Sequence, residues 1–450
     1  MSGDSATAPL PFATAPLPLV AAFDGGRLTS DGGLPWLAEA DAALGLCAAF
    51  AADLPEWRRG AACHSREVLV RQRVFQLACG YADQDDADTL RHDPLLKLAC
   101  GRRPVGDPAL GSQPTFSRLE NAATRQACYR LAVTLVALYL RERGRGGRPA
   151  GLVLDPGSTD DPTHGRQEGT AYHAHYRQRR YHPLLLFDGD TGRLITAILR
   201  PGNAPASRGV VTVLKRLVPA PRERWPGIPI ELRADGGFAT PEVYTFCERE
   251  NLDYTIGLPS NARLARLAAP RLAEAQARQA ASADPATTTI RLAGEAAYRA
   301  DSWGRERRVV YKAEALPEGP NVRCVVTSRP DAPLPLYDWY VDRGEMEGWI
   351  KDLKNACRAD RLSGHRFVAN QCRLLLPAAA YWPLDTLRRW LTAAGVARTQ
   401  LDTLRLALLK VGGRVIQHLD HVRLRLASSH PGQPLWAALA TRRRPVNNPG

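Results

Sequence analysis

The chain has 450 residues, a net charge of +14 and 44% hydrophobic residues, which is ample for packed cores and, by length, for about three domains. No run of eighteen or more apolar residues is free of charge, so no membrane-spanning helix is expected. The 9 cysteines are scattered, with no Cys-x-x-Cys and no Cys/His cluster at zinc spacing, which excludes a zinc finger or disulfide framework and points to reduced thiols in the cytoplasm. The positive charge is carried mostly by arginine. It favours a polyanion, and nucleic acid ahead of an anionic membrane, because no basic amphipathic anchor is present.

Residues 1–22 are rich in Ala and Pro and lack the basic start of a secretion signal; they read as a disordered lead-in. Phe23 to Pro35 reads as a short strand or turn entering a helix, with Ser30 or Asp31 as its N-cap. Apolar positions at helical spacing follow through Val68, Leu69, Val74 and Leu77, and again from Leu131 to Leu140. Between them, Gln113 to Glu120 is a cap and helix start. Residues 23–148 therefore read as an all-helical domain that binds DNA in helix–turn–helix fashion or packs as a plain helical unit, with Arg118 on the reading helix. The Gly- and Arg-rich stretch Arg141 to Arg148 is a linker, and the tail 396–450 is a C-terminal region in which Arg414 to Ala427 alternates like a half-buried strand.

After the linker the pattern changes from helix to strand. Leu152 to Asp155, His182 to Phe187 and Leu194 to Leu199 read as an antiparallel meander. A helix near Arg208 to Leu217, a strand from Ile228 to Asp235, a helix opened by Thr240-Pro241 and a strand from Tyr254 to Leu258 complete the order β-β-β-α-β-α-β. Asp155 and Asp235 lie at the carboxyl ends of separate strands, where open α/β sheets gather ligands. Residues 259–335 interrupt this unit with an Ala/Arg-rich helix and three strands of a small sheet. Residues 336–395 return to it, with kinks or breaks expected at Pro377 and Pro383.

The return begins with Tyr340, Arg343, Glu347 and Lys354. On one continuous α-helix these would lie within roughly 60° of one another, with Lys351 beside them. An ordinary salt-bridged, solvated helix face would look similar. Two strand-end aspartates and a helical glutamate, however, make a set of hard oxygen ligands suited to Mg²⁺ or Mn²⁺. Two such ions about 4 Å apart can activate a nucleophile and stabilise the leaving oxygen of a phosphodiester. In that reading Arg343, Lys351 and Lys354 neutralise phosphates and Tyr340 contacts a nucleotide. His164, His173 and His175 read as loop histidines near DNA or solvent, and Tyr172 to His182 as a DNA-contacting strand or loop.

The ordered series Tyr340-x2-Arg343-x3-Glu347-x6-Lys354 resembles the signature of bacterial insertion-sequence DDE transposases of the YREK type. Asp155 to Gly165, Leu232 to Phe238, Leu28 to Gly33, Gly80 to Asp88, Leu90 to Pro94 and Ser112 to Arg118 are similar to blocks of the group called thirteen-eighty. The resemblance implies an α/β fold with an RNase H-like core, a mixed sheet with flanking helices, whose parts 149–258 and 336–395 are interrupted by a β-rich insertion. It implies a two-ion enzyme with Asp155, Asp235 and Glu347 as catalytic metal ligands, and Tyr340, Arg343, Lys351, Lys354 and Arg118 on DNA. It also implies cut-and-paste transposition at inverted-repeat ends into target DNA by a homodimeric synaptic complex, in a cytoplasmic, nucleoid-associated protein. One departure stands out. The family's first segment runs Asp-x-Asp-x-Thr, whereas this chain has Asp155-Pro156-Gly157-Ser158-Thr159. Asp155 is therefore assigned with Asp160 or Asp161 as alternatives, and a catalytically impaired remnant that only binds DNA is the rival reading.

Overall fold

The computed structural model describes residues 10–12, 19–58, 60, 62–173 and 177–442. The lead-in and the basic end of the chain lie largely outside these residues, as does His175; within them, Leu10–Phe12 pairs antiparallel with Leu19–Ala21. The chain groups into two compact units. One comprises Met1–Ala127, Asn355–Ala359 and Ala379–Gly450, the other Cys128–Lys354 and Asp360–Ala378.

The second unit is built on one mixed sheet. Its strands are β1 (Leu152–Ser158), β2 (Leu184–Asp188), β3 (Leu194–Ile198), β4 (Ile230–Ala234), β5 (Asp253–Leu258), β6 (Ile290–Tyr298), β7 (Arg307–Leu316) and β8 (Gly319–Thr327). They lie in the order β6-β7-β8-β5-β4-β1-β2-β3. The expected meander is present, β1 to β2 to β3 antiparallel, and β4 and β5 run parallel to β1. Those two parallel pairings need crossovers, which the helices α1 (Val210–Leu217) and α2 (Pro241–Arg249) supply. β1 and β2 are almost wholly buried, which is why both read as continuous apolar runs rather than alternating ones.

The insertion differs from the expectation of a separate small sheet. After α3 (Ala262–Ala280), β8 pairs antiparallel with β5 from Thr255↔Thr327 to Leu258↔Cys324 and so extends the same sheet. Without β8, β5 would be an edge strand with a row of unpaired backbone groups, and β8 satisfies them. Two further helices follow, α4 (Pro333–Val341) and α5 (Glu345–Cys357). Beyond them, Phe367–Ala393 is a single helix through both Pro377 and Pro383, so the expected break is absent; residues 374–388 are all buried, and packing holds the helix together.

The first unit is helical but not entirely so. Helices Leu34–Leu44, Leu46–Asp53, Arg66–Ala78 and Gln113–Asn121 bury Leu37, Phe50, Leu69, Phe75 and Phe116. Leu28–Thr29 forms a strand beside Gly413–Gln417, which pairs in turn with Val422–Leu426. The tail expected as one alternating strand is thus a hairpin. The helix Arg125–Arg143 belongs mostly to the second unit, since the units divide at Ala127 and Cys128 rather than near residue 148.

Candidate active site

Asp155 and Arg233 occupy neighbouring parallel strands, one step beyond the Leu232↔Leu154 pair. Both face the same side of the sheet and both are sealed, with side chains 0% and 2% exposed. The Arg233 guanidinium donates to both Asp155 oxygens, Nε at 3.0 Å and Nη2 at 2.7 Å, and to the carbonyls of Trp339 and Gly189. It also stacks on the Trp339 ring at 4.9 Å. Burial pushes the Asp155 carboxyl above its ordinary pKa, while the Arg233 hydrogen bonds and charge pull it back. A buried carboxylate survives only with such a partner. The pair ties β1, β4, the turn after β2 and the end of α4 to one point.

Asp235 follows β4 by one residue and is different. Its side chain is 38% exposed, and Oδ2 accepts from Arg343 Nη2 at 2.6 Å. Oδ1 accepts from the Gly237 backbone at 2.8 Å, a local turn that fixes the carboxylate at the strand end. The Tyr340 hydroxyl donates to the Ala234 carbonyl at 3.2 Å, so Tyr340 braces the residue before Asp235. Its ring packs on Val310, Val325, Leu336 and Tyr337. Gly257 is required there, because a Cβ would stand 2.5 Å from the Tyr340 hydroxyl.

Tyr340, Arg343, Glu347 and Lys354 do not share one helix, contrary to the spacing argument. α4 ends at Val341, Asp342–Gly344 forms a 3₁₀ turn, and α5 starts at Glu345. The physical reason is packing on two different parts of the sheet. α4 is drawn to β7 and β8 through Leu336 and Tyr337. α5 turns Met346, Trp349, Ile350 and Leu353 toward β1 and β2, with Trp349 5.6 Å from Phe187. The side chain of Arg343, in the turn, reaches Asp235. Glu347 and Lys351 are exposed on α5.

Position 157 lies under that helix. A Cβ on Gly157 would stand 2.4 Å from Met346 Cε and 3.4 Å from Ile350 Cδ1, so the glycine admits the close approach of α5 to β1. Further along, Lys354 Nζ donates to the Asp160 carbonyl at 2.6 Å and to Thr159 Oγ1 at 3.3 Å, and lies 3.6 Å from Asp161. Burial pushes the Asp161 carboxyl up to about 7, against the pull of Lys354. Lys354 therefore fastens the segment after β1 to α5.

Among the described residues no group of three or more His, Cys, Asp or Glu side chains is placed to hold a metal ion. The donor set does not fit a three-carboxylate ion site as arranged, because Asp155 is enclosed and both its oxygens are taken by Arg233. Asp161 is enclosed as well; Asp160, the other alternative, is half-buried with Oδ2 accepting from Gln178 Nε2 at 3.5 Å, and Asp235 and Glu347 are accessible. Arg118 is exposed on Gln113–Asn121 in the first unit, and His164, Tyr172 and Arg179 are exposed in the loop and strands after β1. Arg233 and Arg200 escaped the sequence reading. Arg200 is buried and donates to Ser158 Oγ and to the carbonyls of His182 and Ala206, and burial pushes its guanidinium down to about 10. The available signal for Arg233 was an arginine flanked by Leu232 and Ala234 in a strand.

The family model described as transposase DDE domain group 1 matches residues 14–447. No curated protein matches the chain. Among solved structures the chain is similar to a cryo-EM structure of the piggyBac transposase synaptic complex with hairpin DNA, at 13% identity and a TM-score of 0.42, covering 94% of this chain and 87% of that one. Since the family model spans nearly the whole sequence, the chain belongs to the group 1 DDE-domain transposases.

Proposed function

We propose that this protein recognises the inverted-repeat ends of a mobile DNA element, cleaves the DNA there and transfers the freed ends to target DNA. The observation that carries the reading is the juxtaposition of Asp235, a strand-end carboxylate held by a local turn, with Arg343 at 2.6 Å in the turn that leads into the Glu347 helix. It stands inside a chain whose family membership extends from residue 14 to 447. Asp235 and Glu347 face the reacting phosphodiester. Arg343 is the guanidinium nearest to Asp235, and pairs with a phosphate when DNA displaces its present partner. Lys351 adds charge on the exposed side of α5. Tyr340 and Lys354 hold the frame: the first braces Ala234, the second fastens residues 159–161. The β3-β2-β1-β4-β5 order, three antiparallel strands followed by two parallel ones, supports an RNase H-like core.

DDE-domain transposases use divalent ions, Mg²⁺ or Mn²⁺, to polarise the phosphodiester and activate its attacker. Asp155 is closed to such an ion in this arrangement, both its oxygens being held by Arg233. A second reading rests on the sequence alone: an impaired remnant that only binds DNA, since Gly157 stands where the resembled family's first segment carries its second aspartate. The two are separated by incubating DNA that includes the element's end with the protein in Mg²⁺ buffer. Cleavage by the parent and its loss in Glu347→Gln support the leading reading. Binding without cleavage supports the second. Equal cleavage by the parent and Glu347→Gln removes Glu347 from the chemistry.

A further inference from the structure

The hairpin Gly413–Gln417 and Val422–Leu426 carries an arrangement that folding alone does not explain. In its register Arg414 stands directly opposite Arg425, and Ile416 opposite Arg423. Leu28 of the adjoining strand pairs with Arg414. Residues paired across strands, and residues two apart on one strand, share a face. Arg414, Arg423 and Arg425 therefore project together from one face of the three-stranded sheet, and all three are exposed. The opposite face carries Val415, Leu424 and Leu426, which pack inward; Gly413 and Gly32 sit against the last two.

Like charges placed directly across a ladder destabilise it. Among the described residues none of these three arginines has an ion pair or a hydrogen bond to a carboxylate. Asp85 and Asp86 line the same cleft of about 1090 Å³ as Arg414 and Arg425, yet neither pairs with them. Arginines on an edge strand also discourage sheet extension. That explains Arg423 and Arg425 on the edge strand but not Arg414 on the central one. At the tip, Leu419 is fully exposed between His418 and His421, whose rings stack at 4.4 Å. The Gln417 side chain accepts from the Val105 backbone at 2.8 Å and anchors the hairpin's far end to the helical unit. The result is a fixed, two-stranded basic ribbon whose tip carries Leu419 and the exposed Asp420, the latter 2.8 Å from His421 Nδ1.

We propose that this hairpin is a DNA-contacting element, with Arg414, Arg423 and Arg425 on the phosphate backbone of duplex DNA. The inference rests on the proposed action on DNA and adds to it a surface outside the carboxylate site. Backbone contacts are independent of base sequence, so a mixed-sequence duplex is a sufficient probe. The affinity of the full-length parent for it is measured against salt concentration, beside the triple variant Arg414→Gln/Arg423→Gln/Arg425→Gln. A control triple variant changes Arg263, Arg266 and Arg271, exposed on α3, to Gln.

Each phosphate contact adds about 0.9 to the slope of log K against log salt, so the hairpin variant loses about two to three units of slope while the control keeps the parent's. Free of DNA, the hairpin variant unfolds at the same temperature as the parent or a higher one, since its loss of Arg–Arg repulsion is a gain. Identical slopes in the parent and the hairpin variant overturn the proposal, as does an equal loss in the control. A parent that binds no duplex overturns the DNA reading itself, and the hairpin assignment with it.

Discussion

Asp155 and Asp235 are the same residue type, one in the middle of β1 and one just past the end of the adjacent parallel β4, yet the protein treats them in opposite ways. Asp155 is wholly enclosed and held by an equally enclosed arginine. Asp235 is 38% exposed and accepts from one Arg343 nitrogen and from the Gly237 backbone. The partner decides: a buried, bidentate guanidinium turns a carboxylate into a structural clamp, while a partly solvated one leaves it free to exchange partners.

The contrast is broken most severely by removing one half of the clamp. Arg233→Met strands the Asp155 charge in an apolar enclosure, and breaking a buried pair in this way costs about 3–5 kcal/mol. The variant is expected to unfold at a much lower denaturant concentration than the parent, and Arg233→Met combined with Asp155→Leu to recover most of the loss. A single variant as stable as the parent would mean that the pair is not a clamp.

A smaller effect is expected at position 157. Gly157→Asp drives a side chain into Met346, and overpacking of this kind costs about 1–3 kcal/mol. Met346→Ala opens the space, so the double variant regains stability. It would also present a carboxylate between β1 and α5, and its end-cleavage rate should exceed that of Met346→Ala by tenfold or more. Equal rates would show that position 157 does not limit the chemistry.

The smallest effect concerns Asp161, whose carboxyl is raised to about 7 from an ordinary value of 3.8. Between those limits the folded chain keeps a proton that the unfolded chain has released, so stability falls as pH rises from about 4 to 7. Asn cannot ionise. The Tm of Asp161→Asn relative to the parent should therefore climb by a few degrees across that window and level off above it. A difference independent of pH would remove Asp161 as the source.

Much of this frame was legible in the sequence. Period-two and continuous apolar runs gave the strands, Pro241 and the turn residues gave the crossovers, and Asp235 lies just past the end of β4 as expected. Asp155 does not end its strand: β1 runs on to Ser158, because the segment after it pairs with β2. What escaped is non-local. Nothing near Asp155 announces Arg233, 78 residues away. The break at Asp342–Gly344 arises because α4 and α5 pack on different strands, a competition that periodicity within Tyr340 to Lys354 does not record. Likewise β8 chose the edge of β5 over an isolated sheet, and the two strands on either side of Leu419 merged into one alternating pattern because Arg and apolar residues alternate in both.

The central claim is that Asp155 supports the fold and Asp235 serves the reaction. It is tested most directly by comparing the thermal unfolding of Asp155→Asn and Asp235→Asn with that of the parent in metal-free buffer. The account predicts a Tm lowered by several degrees for Asp155→Asn, because Arg233 loses its charge partner, and a Tm close to the parent's for Asp235→Asn. An unchanged Tm for Asp155→Asn, with the loss falling on Asp235→Asn instead, would contradict it.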